Sequence, residues 1–95
     1  VKIQWADRAL RDLEELLEFI AVDNPGAARR LHDRVFRKTD HLEAFPFFGP
    51  FSVEAGDPFR EILVKPLRLL YLNEGETVTV VAVYREEASL RVEGN

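Results

Sequence analysis

Residues 1–5 alternate, with Val1, Ile3 and Trp5 on one side and Lys2 and Gln4 on the other. That is the period of a short strand with one buried face. The period then changes. Ala9, Leu13, Leu16 and Ile20 follow one another at spacings of four, three and four, with Leu10 and Leu17 flanking. This stripe predicts a helix over about residues 7–22, capped by Asp7. Asp23-Asn24-Pro25 interrupts it. Asn24 suits an N-cap, and Pro25 suits a first helical position, where its missing N–H costs nothing.

A second helix is predicted over about residues 25–44. Ala28, Leu31, Val35, Thr39 and Leu42 form its inner stripe and Phe45 closes it, while Arg30, Arg34, Arg37 and His41 take the outer side. Pro46 and Gly49 end it, and so short a connection to the first helix predicts an antiparallel helical hairpin. Phe45, Phe47, Phe48 and Phe51 crowd the following turn and are expected to plug one end of the core. After the Gly56-Asp57-Pro58 loop, three strand-like runs follow at 59–64, 67–72 and 77–84. Lys65-Pro66 separates the first two. Asn73 to Glu76 joins the last two as a hairpin turn, with Gly75 free to take positive φ.

The order is β-α-α-β-β-β. Helices before a run of strands imply an α+β fold, a helical hairpin packed on one face of a mainly antiparallel four-stranded sheet. Leu13, Leu16, Ile20, Leu31, Val35, Leu42, Ile62, Leu69, Val81 and Val83 are its expected core. One domain over residues 1–95 is the expectation from length.

Composition narrows the chemistry. With 46% hydrophobic and 11% aromatic residues, the chain can build a core and is not of the disordered class. It has no cysteine, so disulfides, thiolate catalysis and cysteine-ligated metals are excluded. No apolar run approaches the ~20 residues of a membrane span, and residues 1–5 lack a signal peptide's apolar stretch. A soluble cytoplasmic domain is expected. The net charge of −4 argues against a generally basic nucleic-acid binder. The charge is nevertheless segregated. Asp12, Glu14, Glu15 and Glu18 form an acidic segment, and Arg29, Arg30, Arg34, Arg37 and Lys38 a basic one. Two helix faces of opposite sign account for this.

The catalytic inventory is short. The glycines match no phosphate-loop spacing, and Ser52 and Ser89 lack a nucleophile-elbow context. His32 and His41, nine residues apart on one helix, point to different sides and do not form a metal pair. No cofactor is implied. What remains is a set of cations and phenols on the sheet: Arg60, Arg68, Tyr71, Tyr84 and Arg85. Arginine beside aromatic groups suits phosphate or base binding, but pairing with Glu61, Glu86 or Glu87 serves it equally. A guanidinium on a sheet is costly to bury alone, so Arg68 is expected to have a carboxylate or carbonyl partner. Arg68 and Tyr71, three apart, belong on opposite strand faces.

Trp5-x-x-x-Ala9-x-x-Asp12-Leu13, Ile20, Asn24-Pro25-x-Ala27-Ala28, Leu42, Phe45-Pro46-x-x-Gly49, Arg60-Glu61, Leu67-Arg68-x-x-Tyr71 and Val80 to Arg85 together resemble the RelE/ParE toxin superfamily. The resemblance implies the toxin of a type II toxin–antitoxin pair, of the plasmid-stabilisation kind. It is silenced by a cognate, ParD-like antitoxin from a neighbouring gene and forms a hetero-oligomer with it. RelE-like members cut mRNA on the ribosome, using cations on the second and third strands and near the C-terminus. ParE-like members poison DNA gyrase by binding.

In this chain Arg68 matches the third-strand cation. Ile62 and Val64 stand where second-strand cations are expected, although Lys65 follows. Glu86 and Glu87 fall in the C-terminal cationic segment beside Arg85 and Arg91, and Leu90 and Val92 replace its aromatic residue. Carboxylates beside a scissile phosphate oppose the transition-state charge. The resemblance therefore implies the ParE-like branch, with DNA gyrase as target and no catalytic residues. A RelE-like mRNA endonuclease and an inactive member that only binds its antitoxin are the alternatives. The binding residues implied are Arg30, Arg34, Arg37, Arg60, Arg68, Tyr71, Tyr84 and Arg85, the first five near the rim of a groove between hairpin and sheet.

Overall fold

A computed structural model describes residues 1–86. The chain runs β1 (Lys2–Trp5), α1 (Asp7–Asp23), α2 (Pro25–His41), β2 (Phe59–Val64), β3 (Leu67–Asn73) and β4 (Thr77–Arg85), the order expected from periodicity. The sheet order is β1-β4-β3-β2. β2–β3 and β3–β4 are antiparallel, and β1 lies parallel to β4. The two helices cover one sheet face.

Local chemistry accounts for most boundaries. The Asn24 side chain accepts from the Ala27 N–H at 3.0 Å, and Pro25 opens α2, where its lack of an N–H leaves nothing unpaired. Asp7 does not cap α1. Ala6 is the N-cap with no side-chain bond, and Asp7 is the first helical residue. There its charge complements the helix N-terminus instead. Gly75 takes φ +87° in the β3–β4 turn. α2 ends at His41 rather than 44, with Leu42 as its C-cap.

Ala9 and Leu13 from α1 share one core with Leu31 and Val35 from α2 and with its C-cap Leu42. Ile62, Val64, Leu67, Leu69, Tyr71, Val78, Val80 and Val83 form the sheet side of this core. Leu16 and Ile20 pack against it only half-buried. Val81 is also half-buried, not core. The register slips between Leu70 and Tyr71, where Ala82 opposes Leu70 but Val80 opposes Tyr71. Val81 is the extra residue of a bulge, so the inward alternation passes from Val80 to Val83.

The aromatic plug is overturned as well. Phe45, Phe47, Phe48 and Phe51 are 56%, 69%, 54% and 51% exposed. The buried aromatic under this turn is Tyr71, at 0%.

Candidate functional site

Of the eight residues designated from the sequence, seven fall into four settings and Arg30 lies outside them. The first is a lock on the 46–60 loop. Tyr71 O–H donates to the Pro46 carbonyl and accepts from the Gly49 N–H, each at 2.9 Å. Burial pushes the Tyr71 phenol above its ordinary pKa, so it stays a protonated donor. Arg60 donates to the Gly49 carbonyl at 2.7 Å and the Phe47 carbonyl at 3.3 Å. Its guanidinium lies over Phe51, 4.0 Å from the ring centroid, and 5.2 Å from that of Phe47. Tyr71 and Arg60 are directly opposed across β2–β3. They hold the loop and hold its phenyl rings outward.

The second setting is on the sheet face away from the helices. Arg68 pairs with Glu61 at 2.9 Å, the carboxylate partner its position required. Glu61 also accepts from Ser52 Oγ at 2.6 Å and Tyr84 O–H at 3.1 Å. Ser52 Oγ in turn accepts from the Ala55 N–H at 2.9 Å. Burial alone would raise the Glu61 carboxyl. The hydrogen bonds from Ser52, Arg68 and Tyr84, with the charge of Arg68, outweigh it and hold Glu61 below the ordinary carboxylate range. Tyr84 moves the other way, pushed up by burial and by the Glu61 charge it faces. The Arg68 pKa is raised further by its bond to Glu61. These groups fix one another as carboxylate, phenol and guanidinium.

This face also redefines the second-strand positions. Ile62 and Val64 are 5% and 4% exposed and belong to the helix-covered core. The β2 residues nearest Arg68 on its face are Glu61 and Leu63, by the pairing of Leu63 with Arg68 and Glu61 with Leu70. An acid and an apolar residue flank the third-strand arginine.

The third setting is a cleft of about 580 Å³ between α2 and the end of β2. Arg34, Arg37, Lys38 and His41 line it from α2, Phe48 from the loop, and Leu63, Val64 and Lys65 from β2. Arg34 donates to the Lys65 carbonyl. Arg30 lies on the same helix, exposed but outside the cleft. The fourth is a cleft of about 710 Å³ between α1 and β4, lined by Asp12, Glu15, Leu16, Phe19, Val83, Tyr84 and Arg85. The Arg85 guanidinium lies 5.7 Å from the Phe19 centroid.

The arginines therefore do not share one rim. Arg34 and Arg37 meet in the α2–β2 cleft, Arg60 serves the loop, and Arg68 faces the opposite side of the sheet. Tyr71 and Arg68 do lie on opposite faces. Sequence reasoning missed Ser52, Lys38, Phe48, Leu63 and Lys65. Lys38 was legible from its spacing to Arg34 on a helix; Ser52 and Phe48 depend on loop packing, and Leu63 and Lys65 on the strand pairing of β2. Glu87, Leu90, Arg91 and Val92 lie outside the described residues. Among the described residues no group of three or more His, Cys, Asp or Glu side chains is placed to hold a metal ion. No described helix is long and apolar enough to cross a membrane.

A helical hairpin on one face of a four-stranded mixed sheet, with an arginine–carboxylate–phenol knot on the other face, defines a small α+β module. The family model described as "ParE toxin of type II toxin-antitoxin system, parDE" matches residues 3–89, and the chain belongs to that family. Its fold is similar to that of a chain in the chromosomal ParDE toxin–antitoxin system from P. aeruginosa, at TM-score 0.76 and 15% identity, covering 90% of this chain and 95% of that one. It is also similar to the conserved hypothetical protein HP0894 from Helicobacter pylori, at TM-score 0.59 and 20% identity, covering 92% and 96%. No curated protein sequence matches the chain.

Proposed function

We propose that this ParE-type toxin acts by binding DNA gyrase and stabilising its cleaved-DNA complex, without bond chemistry of its own. In this reading residues 1–95 work as one cytoplasmic toxin domain, and a cognate ParD-like antitoxin neutralises it in a hetero-oligomer. The observation that carries the reading is the Glu61 knot. Arg68, the cation that an RNA-cleaving relative would use, is paired at 2.9 Å with a carboxylate held in its charged form. That carboxylate offsets the positive charge a scissile phosphate needs. Tyr84 is held protonated by burial and by Glu61 and so is a poor base for activating a hydroxyl. Arg60, Arg68 and Tyr71 are spent on the fold, so target and antitoxin contacts are assigned to the exposed Arg30, Arg34 and Arg37.

The test pairs two assays on purified protein. A supercoiling assay is expected to show loss of gyrase activity with accumulated cleaved DNA. Primer extension on translating ribosomes is expected to show no new A-site cuts. Cuts on the ribosome with gyrase untouched overturn the proposal in favour of an mRNA endonuclease; silence in both leaves only antitoxin binding. Co-expression with the product of the neighbouring reading frame is expected to give a stable complex on size exclusion. A partner segment disordered when free suits this, since such segments cover large surfaces for their size.

A further inference from the structure

The α2–β2 cleft carries a charge pattern at odds with the rest of the chain. At about 100° per residue, Arg30, Arg34, Arg37, Lys38 and His41 fall within one stripe about 100° wide. The stripe spans about 16 Å of helix at ~1.5 Å per residue. Lys65 adds a cation from across the cleft, and no carboxylate lines it among the described residues. Asp33 and Asp40 lie beyond the edge of the stripe, and Asp33 faces His32 at 3.1 Å. The acidic residues of α1 are on the other helix. With a screening length of ~10 Å at ordinary salt, a ligand in the cleft responds to its cations rather than to the net −4.

The aromatic end of the cleft is equally organised. Phe48 is 54% exposed. His41 meets it edge-to-face at 4.9 Å between centroids, and Lys38 Nζ lies over the ring, 5.7 Å from its centroid. The loop that presents it is pinned by Tyr71 and Arg60 through the backbone of Pro46, Phe47 and Gly49, so the backbone on either side of Phe48 is held. A row of cations ending at an exposed ring matches a chain of regularly spaced phosphates carrying stackable bases. A single small anion would use only part of it.

We propose that this cleft binds a single-stranded stretch of polynucleotide, with phosphates along Arg34, Arg37, Lys38 and Lys65 and a base stacked on Phe48. The assignment deepens the gyrase reading, because it gives the toxin its own grip on the opened DNA of the cleavage complex. It is measurable without gyrase.

The experiment is fluorescence anisotropy of the full chain with labelled oligo-dT and oligo-U strands of about twenty nucleotides, titrated at several salt concentrations. Binding is expected with a slope of log K against log salt of about −2 to −3, for three to four phosphates at about −0.7 each. Arg37→Gln with Lys38→Gln is expected to weaken binding at least tenfold at low salt and to flatten the slope by about 1.4. Phe48→Ala is expected to weaken it about fivefold or more with the slope unchanged. Arg11→Gln with Arg29→Gln, which removes two cations outside the cleft, is expected to change neither. Circular dichroism confirms that each variant is folded.

Failure of both oligonucleotides to bind at low salt overturns the proposal, as does binding that ignores the cleft substitutions. Polyglutamate that competes equally well, with Phe48→Ala without effect, overturns it in favour of an acidic protein segment. Gyrase poisoning that survives without oligonucleotide binding removes this inference and leaves the gyrase reading standing. Cleft-dependent oligonucleotide binding without gyrase poisoning does the reverse.

Discussion

At the scale of single residues, function and stability compete for the same polar groups. Glu61 is the clearest case. It accepts from Ser52, Arg68 and Tyr84, and its lowered pKa makes it a source of stability. The stabilisation is present above the unfolded carboxyl value of ~4.3 and is lost as pH falls through the lower folded value. The wild type is expected to unfold at lower urea below about pH 4.3. Glu61→Gln is expected to be less stable at neutral pH, because Arg68 is left without its counter-charge, and to lack this Glu61 increment on acidification. Equal acid sensitivity in both proteins would place the titrating groups elsewhere. Tyr71 and Tyr84 act at the other extreme. Their raised values mean stability is complete below about pH 10 and is lost as pH rises beyond it. Gly49 shows a steric version of the same economy. A Cβ there would sit 2.3 Å from the Glu61 carbonyl and 3.0 Å from the Tyr71 ring, so Gly49→Ala must displace β2 or break the Tyr71 lock. Tyr71→Phe removes the hydroxyl alone and leaves the Gly49 N–H buried without its partner. It is expected to cost about 1–3 kcal/mol in chemical denaturation.

At the scale of elements, periodicity carried what depends on one chain segment and missed what depends on two. Both helices, β2 and the β3–β4 turn were legible because each is written in local spacing: the α1 stripe, Asn24-Pro25 and Gly75. Phase along β4 was not, because the bulge at Val81 exists only in its register with β3. Val80→Ala, at 0% exposure, is therefore expected to destabilise more than Val81→Ala. Similarly, Leu42→Ala is expected to cost about 2–5 kcal/mol, and Leu16→Ala less, since Leu16 is only half-buried. Reversal of either order in urea midpoints would contradict the observed phases. The aromatic turn shows the same limit. Four phenylalanines signal burial by composition, yet the core beneath them is filled by Tyr71, whose hydroxyl satisfies the turn's backbone at Pro46 and Gly49. The candidate site was legible as a residue inventory and not as a geometry. Arg68 needed a carboxylate on energetic grounds, but its choice of Glu61 followed from strand faces that no single-strand pattern contains.

At the scale of the whole molecule, the parallel β1–β4 pairing decides which strands are interior. The sheet order β1-β4-β3-β2 places β4 and β3 between neighbours and leaves β1 and β2 at the edges. One edge, β2, meets the cation-lined cleft, while the α1–β4 cleft opens on the other flank of the hairpin. Both surfaces are thus hung on one central pair, whose Leu69, Val78 and Val80 are at 0% exposure. Opening of that pair requires the core to open, so its amides exchange only through near-global unfolding. Amide hydrogen exchange is expected to be slowest at Leu69, Tyr71 and Val80 and faster along β2 at Leu63 and Lys65. Binding of a strand in the α2–β2 cleft is expected to slow exchange at Leu63, Lys65 and Phe48 and to leave the central pair unchanged. Protection that instead appears first on β1 and α1 would assign ligand binding to the opposite flank, since the two clefts share no lining residue.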